Sequence, residues 1–304
     1  MTIATSLPSP ERSSLLANLA CMGSMLVWAL GFPLADVLLA TLPPVAVTAL
    51  RLAFATAFLL PVWLLVDGWR DVRRADWVRG LGVGALGMGL GALLLVYGQS
   101  RTDGITTAVI AATMPVVGIT LECLLDGRRL TGRVVLGILL SVAGGIAVYG
   151  ARMGTLNIGI GAGAVLASVT VFAWASRASV TALPGLSAIG RTAVTITGGT
   201  LAVAALQALL PAFGGEAMPW DRIGAREWVY AALYGVGSMA ISQVLFLIGV
   251  AGLGIGVAAM HINISPFYVM LFALAFGSAW SWPAAGAAAL VVLGVLIAQG
   301  RRSA

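Results

Sequence analysis

Few side chains in this sequence have the types and spacing needed for covalent chemistry. There is one histidine, His261, and the eleven acidic residues are scattered. The sequence offers no Ser/His/Asp set, no carboxylate pair and no cluster with metal-ligand spacing. Cys21 and Cys123 both lie in apolar runs and read as small buried hydrophobes. Gly82-Val-Gly84-Ala-Leu-Gly87 matches the dinucleotide pattern G-x-G-x-x-G. That pattern needs a preceding strand and a helix N-terminus open to water. Here an arginine-rich connection precedes it and apolar residues come after it, so the glycines are expected to let helix backbones approach closely. Asn263-Ile-Ser265 matches a glycosylation sequon but falls within an apolar run. These readings point away from an enzyme and call for no cofactor and no metal.

The remaining chemistry is that of ligand binding. Charge inside a bilayer is costly, so ionisable groups within apolar runs are candidates for function. Arg51 lies about eight residues inside the second run, and a structural pairing with Asp36 is weighed against a functional role. Arg191, near the end of the seventh run, is placed to snorkel. His261 stays open between a cavity group and a helix–helix hydrogen bond. The deep polar positions are Gln99, Ser242, Gln243, Asn263 and Ser265. His261, Ser265 and Tyr268 have i, i+4, i+7 spacing and are expected to share one helix face. With Trp28 and Trp174, they suggest a cavity wall of mixed aromatic and hydrogen-bonding character, suited to small amphipathic ligands. Trp77, Trp220, Trp228, Trp280 and Trp282 fall at expected membrane interfaces. Pro115 and Pro266 are expected to act as hinges, because proline removes a helix bond.

The elements that must position these residues are dictated by composition. Of 304 residues, 60% are hydrophobic and 9% charged, with mean hydropathy +1.02; soluble domains carry about 25% charged residues. The chain is therefore expected in a bilayer. A spanning helix needs roughly 20 apolar residues. Ten runs qualify, near 15–38, 44–66, 77–98, 104–123, 132–150, 158–179, 187–211, 227–250, 253–276 and 283–300. They lack the alternation of outer-membrane strands. The first run is too long for a cleaved signal and is expected to be retained.

All seventeen basic residues are arginine, giving a net charge of +6. They sit in short connections between runs and form no single patch, which argues against nucleic acid as a partner. With the N-terminus inside, Arg12, Arg70, Arg73, Arg74, Arg79, Arg128, Arg129, Arg133, Arg177, Arg301 and Arg302 face the cytoplasm. Arg101, Arg152, Arg222 and Arg226 face away. This asymmetry predicts both termini inside.

The sequence also repeats. Asp76-Trp77-Val78 recurs as Glu227-Trp228-Val229, 151 residues later. The same offset pairs Gly84 with Gly235, Met88 with Met239, Gly98 with Gly249, Ala108 with Ala259 and Pro115 with Pro266. Trp28-Ala29 echoes Trp174-Ala175. Five runs per half make the second half enter the membrane inverted, a design common among secondary transporters.

Trp28-Ala-Leu-Gly31-Phe32-Pro33, Arg51, Ala111-Ala-Thr-Met-Pro115, Gly127-Arg-Arg-Leu-Thr131 and the stretch from Gly137 to Gly145 together resemble the EamA repeat of the drug/metabolite transporter superfamily. The second half departs more, with Arg177 where Gly31 stands and His261-Ile-Asn263-Ile-Ser-Pro266 in the ninth run. The resemblance implies an all-α integral membrane protein with ten transmembrane helices in two inverted five-helix repeats, 15–150 and 158–300. Within the family the chain is most similar to aromatic amino-acid exporters of the YddG type. That similarity implies a monomer in a bacterial inner membrane that exports amino acids by alternating access. Rival expectations are an exporter of lipophilic drugs or other metabolites, and a scaffold that transports nothing. The family implies a cavity lined by spans one, three, four, six, eight and nine. The expected substrate-binding residues are Trp28, Met88, Met114, Trp174, Ser242, Gln243, His261, Ser265 and Tyr268. Span one holds no acid from Leu15 to Ala35, so obligatory proton exchange is not expected.

Overall fold

The computed structural model describes residues 10–125, 131–153, 159–253 and 261–299, and every regular element in them is helical. Long helices α1 (Pro10–Leu39) and α2 (Pro44–Asp67) come first, succeeded by the short α3 (Trp69–Arg74). The third span is α4 (Trp77–Gly84), a π-helical stretch (Ala85–Gly89) and α5 (Leu90–Ser100). The fourth is α6 (Gly104–Ala111) and α7 (Met114–Leu125), and the fifth is α8 (Gly132–Met153). The second half has α9 (Ile160–Ala182) and α10 (Ala188–Leu209). Its third span is α11 (Ala225–Ala232), a π-helical stretch (Leu233–Ile241) and α12 (Ser242–Leu253). A 3₁₀ turn (His261–Ile264), α13 (Ser265–Ala275) and α14 (Trp282–Gln299) complete it.

Among the described residues, six stretches are long and apolar enough to cross a membrane: Leu15–Leu39, Pro44–Asp67, Trp77–Ser100, Ile160–Ser179, Ala188–Phe213 and Ala225–Phe246. Shorter apolar stretches, Gly104–Gly118, Val135–Gly144, His261–Ala275 and Trp282–Gly294, stand where the other four spans are expected. Outward-facing Leu65, Val78, Leu86, Leu124 and Leu139 remain exposed. Such an apolar exterior suits lipid as solvent. Among the residues singled out by sequence, Gly127 to Leu130 with Arg128 and Arg129, Ala259, Arg301 and Arg302 lie outside the described residues.

Small residues set the packing of these helices. A Cβ at Gly84 would overlap the Thr195 carbonyl, and one at Gly235 would overlap the Arg51 carbonyl. Gly98 faces Val165 and Gly161, while Gly249 faces Cys21 and Ala17. These contacts are reciprocal. The partners in spans three and eight are 151 residues apart, and those in α1 or α2 and α9 or α10 are 144 apart. The hydrogen bonds obey the same scheme. Ser24 Oγ donates to the Ser242 carbonyl at 2.6 Å, and Ser168 Oγ donates to the Gly91 carbonyl at 2.6 Å. Both carbonyls lie just past a π-helical stretch. Thr56 and Thr200 correspond at the 144-residue offset and bond to each other at 2.7 Å. Reciprocal contacts of this kind characterise a two-fold relation. Trp63 meets Gly190 and Asp67 meets Ser187, so α2 and α10 run antiparallel through the Thr56–Thr200 contact.

Two expectations need correction. The sequence pairs Trp28 and Gly31 with Trp174 and Arg177, at an offset of 146. The contacts instead pair Gly31, against Ser238, with Ala175, against Gly87. The structural counterpart of Trp28 is therefore Phe172. A tryptophan–alanine dipeptide is too short to fix a register that close packing decides. Pro115 and Pro266, expected to bend continuous helices, instead occupy the second positions of α7 and α13, just after breaks at Ala112–Thr113 and at the 3₁₀ turn. Proline is tolerated in a first turn, where its missing N–H is no loss. Pro33 and Pro61 are the prolines inside α1 and α2.

Glycine to alanine in a helix ordinarily stabilises by up to about 1 kcal/mol. At Gly84 and Gly235 the backbone clash should reverse that sign, overpacking costing about 1–3 kcal/mol. Gly84→Ala and Gly235→Ala are expected to lower the unfolding temperature in detergent. Gly82→Ala, with nothing within 4 Å of its Cβ, should not. Equal melting of all three variants would refute the packing described.

Candidate functional site

Arg51 enters the interior because α2 begins at Pro44, leaving it two turns below the helix start and only 5% exposed. Its Nη1 donates to the Tyr234 hydroxyl at 2.9 Å, and its guanidinium carbon lies 4.3 Å from the Tyr234 ring centroid. Arg51 Nε is buried without a hydrogen-bond partner. Tyr234 sits in the π-helical stretch of span eight and is itself 2% exposed. One aromatic residue thus offers the cation both a ring face and a hydroxyl.

Asp36, on the next turn of α1 beyond Phe32, is held from two sides. Oδ1 accepts from Gln99 Nε2 at 2.8 Å, and Oδ2 accepts from the Gly104 backbone N–H at 3.1 Å. Gln99 Nε2 also donates to the Phe32 carbonyl at 2.7 Å. Gly104 opens α6, whose N-cap is Asp103, accepting from the N–H groups of Ile105 and Thr106. A carboxylate at this end of α6 is favoured by the helix dipole. Asp36 and Arg51, the expected pair, each have other partners: Tyr234 for Arg51, and Gln99 and Gly104 for Asp36.

Around the guanidinium, Trp28, Gly31, Phe32, Leu95, Tyr234 and Ser238 line a tight crevice, nowhere wide enough for a water molecule. Trp28 and Phe32 meet edge to face, with centroids 5.0 Å apart. Ser238 Oγ donates to the Trp28 carbonyl at 2.9 Å. Gly31 permits this approach, because a Cβ there would overlap Ser238 and crowd the Tyr234 ring.

The residues expected to bind substrate are spread over several settings. Trp28 lines this space. Trp28 and Tyr268 both pack against the apolar cluster that includes Ala29, Phe32 and Val269. Met88 is buried in another cluster with Leu52, Ala193 and Met239. Ser242 is buried, its hydroxyl donating to the Ser238 carbonyl at 2.5 Å. Ser265 is buried and donates to the Ile262 carbonyl at 2.7 Å. Met114, Gln243 and His261 are half-buried on α7, α12 and the 3₁₀ turn. Trp174 is 37% exposed, beside Gly87. The face expected from His261, Ser265 and Tyr268 is interrupted, since His261 lies in a 3₁₀ turn whose period differs from that of α13. Asn263, on the same turn, is 4% exposed and neither of its amide atoms has a partner. Tyr234 and Ser238 are not among the residues that sequence reasoning singles out. The available signal is a tyrosine deep in an apolar run, whose hydroxyl needs a partner there.

Residues 15–150 match the EamA-like transporter family. No curated protein matches the chain. A solved crystal structure 24% identical in sequence aligns over 95% of this chain and 97% of its own, with a TM-score of 0.65. The chain thus shares its fold with a protein of known structure.

Tyr234→Phe keeps the ring over Arg51 but removes the hydroxyl acceptor. A hydrogen bond from a charged donor contributes about 1.5–3 kcal/mol. The variant is expected to melt at lower temperature in detergent, and Tyr234→Ala lower still because the ring face is lost as well. Wild-type melting of Tyr234→Phe would mean that the hydroxyl does not support the buried cation.

Proposed function

We propose that this chain is a secondary transporter that exports amino acids, aromatic and neutral ones favoured, by alternating access through a central cavity. Its ten spans form two inverted five-helix repeats, 15–150 and 158–300, with both termini in the cytoplasm of a bacterium and the protein in its inner membrane as a monomer. The observation that carries this reading is the match of residues 15–150 to a transporter family. The reciprocal contacts between halves, with the antiparallel packing of α2 on α10, support the inverted arrangement. Two conformations exchanged between such halves open one cavity to alternate sides. The substrate-binding set is Trp28, Met88, Met114, Trp174, Ser242, Gln243, His261, Ser265 and Tyr268, with Pro115 and Pro266 as hinges.

The absence of acid between Leu15 and Ala35 in span one favours transport down the substrate gradient. A carboxylate at mid-bilayer depth would be the usual proton carrier, its proton retained by desolvation. Purified protein in proteoliposomes tests these statements. Labelled aromatic amino acids are expected to equilibrate across the membrane without accumulating against a gradient when a pH difference is imposed. Preferred flux of lipophilic cations would identify a drug exporter, and no flux of any solute would identify a scaffold. Uphill accumulation abolished by His261→Gln would make His261 the proton carrier. Uphill accumulation surviving that change would place the carrier elsewhere.

A further inference from the structure

The space between α1, α2 and span eight is lined by one cation and no anion: Trp28, Gly31, Phe32, Arg51, Leu95, Tyr234 and Ser238. We infer that Arg51 is the group that reads the substrate, binding a carboxylate through the guanidinium edge that carries Nε. The substrates would then be hydrophobic carboxylates whose amino group is dispensable. This rests on the transport reading and deepens it.

Arg51 Nε is a buried donor without a partner. Lone buried donors are rare in native structures and call for an explanation. Arginine binds carboxylates through two parallel N–H bonds, and Nε with one Nη supplies such a pair. Nη1 is already used by the Tyr234 hydroxyl, and the ring covers the guanidinium face. Nε, buried without a partner, is left for a ligand. Both oxygens of Asp36 accept hydrogen bonds from Gln99 and Gly104, and the positive end of α6 offsets the charge. A second carboxylate therefore approaches the guanidinium without having to displace those bonds.

The remaining walls fix the rest of the ligand. Trp28, Phe32 and Leu95 offer apolar and aromatic surface for a side chain. The Ser238 hydroxyl is turned to the Trp28 carbonyl. An ammonium group finds no lining carboxylate, so it adds little to binding. The space is closed as it stands, and α1 must separate from span eight to admit a ligand. The close contacts of Gly31 with Ser238 and Tyr234 are the ones that would part.

The full chain in proteoliposomes tests this by competition against labelled phenylalanine flux. 3-Phenylpropanoate keeps the carboxylate without the amine, and is expected to compete within about threefold of phenylalanine. Phenylalaninamide and phenethylamine lack the carboxylate and should compete about tenfold or more weakly, the weight of a charged hydrogen bond. Arg51→Gln should erase the discrimination between the acid and the amide, and Arg51→Lys should restore part of it. Competition by phenethylamine equal to that of phenylalanine would overturn the inference, as would undiminished discrimination in Arg51→Gln. Where Arg51→Gln does not fold, the wild-type series decides alone. If wild type moves no solute, the transport reading fails, and thermal stabilisation in detergent by 3-phenylpropanoate but not phenethylamine still decides the role of Arg51.

Discussion

Hydrocarbon offers no hydrogen bonds, so every interruption of a membrane helix must be satisfied by protein. This chain interrupts its helices repeatedly and at corresponding places. Just beyond the π-helical stretches at Ala85–Gly89 and Leu233–Ile241 lie carbonyls that accept from Ser168 and Ser24. The break before α7 is bridged by Thr113, whose hydroxyl donates to the Ile110 carbonyl. The break before α13 is bridged by Ser265, which donates to Ile262. Small hydroxyl residues thus hold together the places where the helices are not regular. The close glycine contacts bring the neighbouring helices near enough for these bonds to form. Gly87 against Ala175 and Gly31 against Ser238 are two instances.

The apolar runs are readable in the sequence because apolar length is a direct consequence of bilayer thickness, and they fall on helices, six of them long enough to cross a membrane among the described residues. The 151-residue offset is readable through Trp77 and Trp228, Gly84 and Gly235, and Pro115 and Pro266. Those residues carry the close contacts and helix starts that an ungapped offset preserves. The register of α1 on α9 is easily misread because Trp28 and Trp174 are similar residues in different settings. The contacts that fix the register involve Ser24 and Ser168, two ordinary residues whose importance comes from carbonyls far away in sequence.

The site is less readable for a related reason. Arg51 stands out in an apolar run, but its meaning depends on Tyr234, 183 positions away. No local pattern links them. Asp36 is the natural guess for a partner because it is the nearest acid in sequence. The acid also has Gln99 and the first turn of α6 as donors, which only the packing of α1 on spans three and four reveals. The expected face of His261, Ser265 and Tyr268 assumes a continuous α-helix. Proline two residues into α13 is compatible with a helix start as well as a kink, and composition does not distinguish them.

Under the offsets that relate the halves, Arg51 corresponds to Thr195, and Tyr234 to Val83. The guanidinium–phenol pair therefore has no counterpart in the other half. Two conformations related by exchanging the halves would be equally populated only if the halves were equivalent in chemistry. Here one of them carries an extra charged contact, and about 1.4 kcal/mol of difference weights a population tenfold. A carrier that moves its cargo downhill cannot use such a weighting to alter the final concentrations, which thermodynamics fixes. If the proposed alternating access holds, the weighting sets kinetic asymmetry: such a carrier, when empty, waits on one side, and its half-saturation differs between the two faces of the membrane.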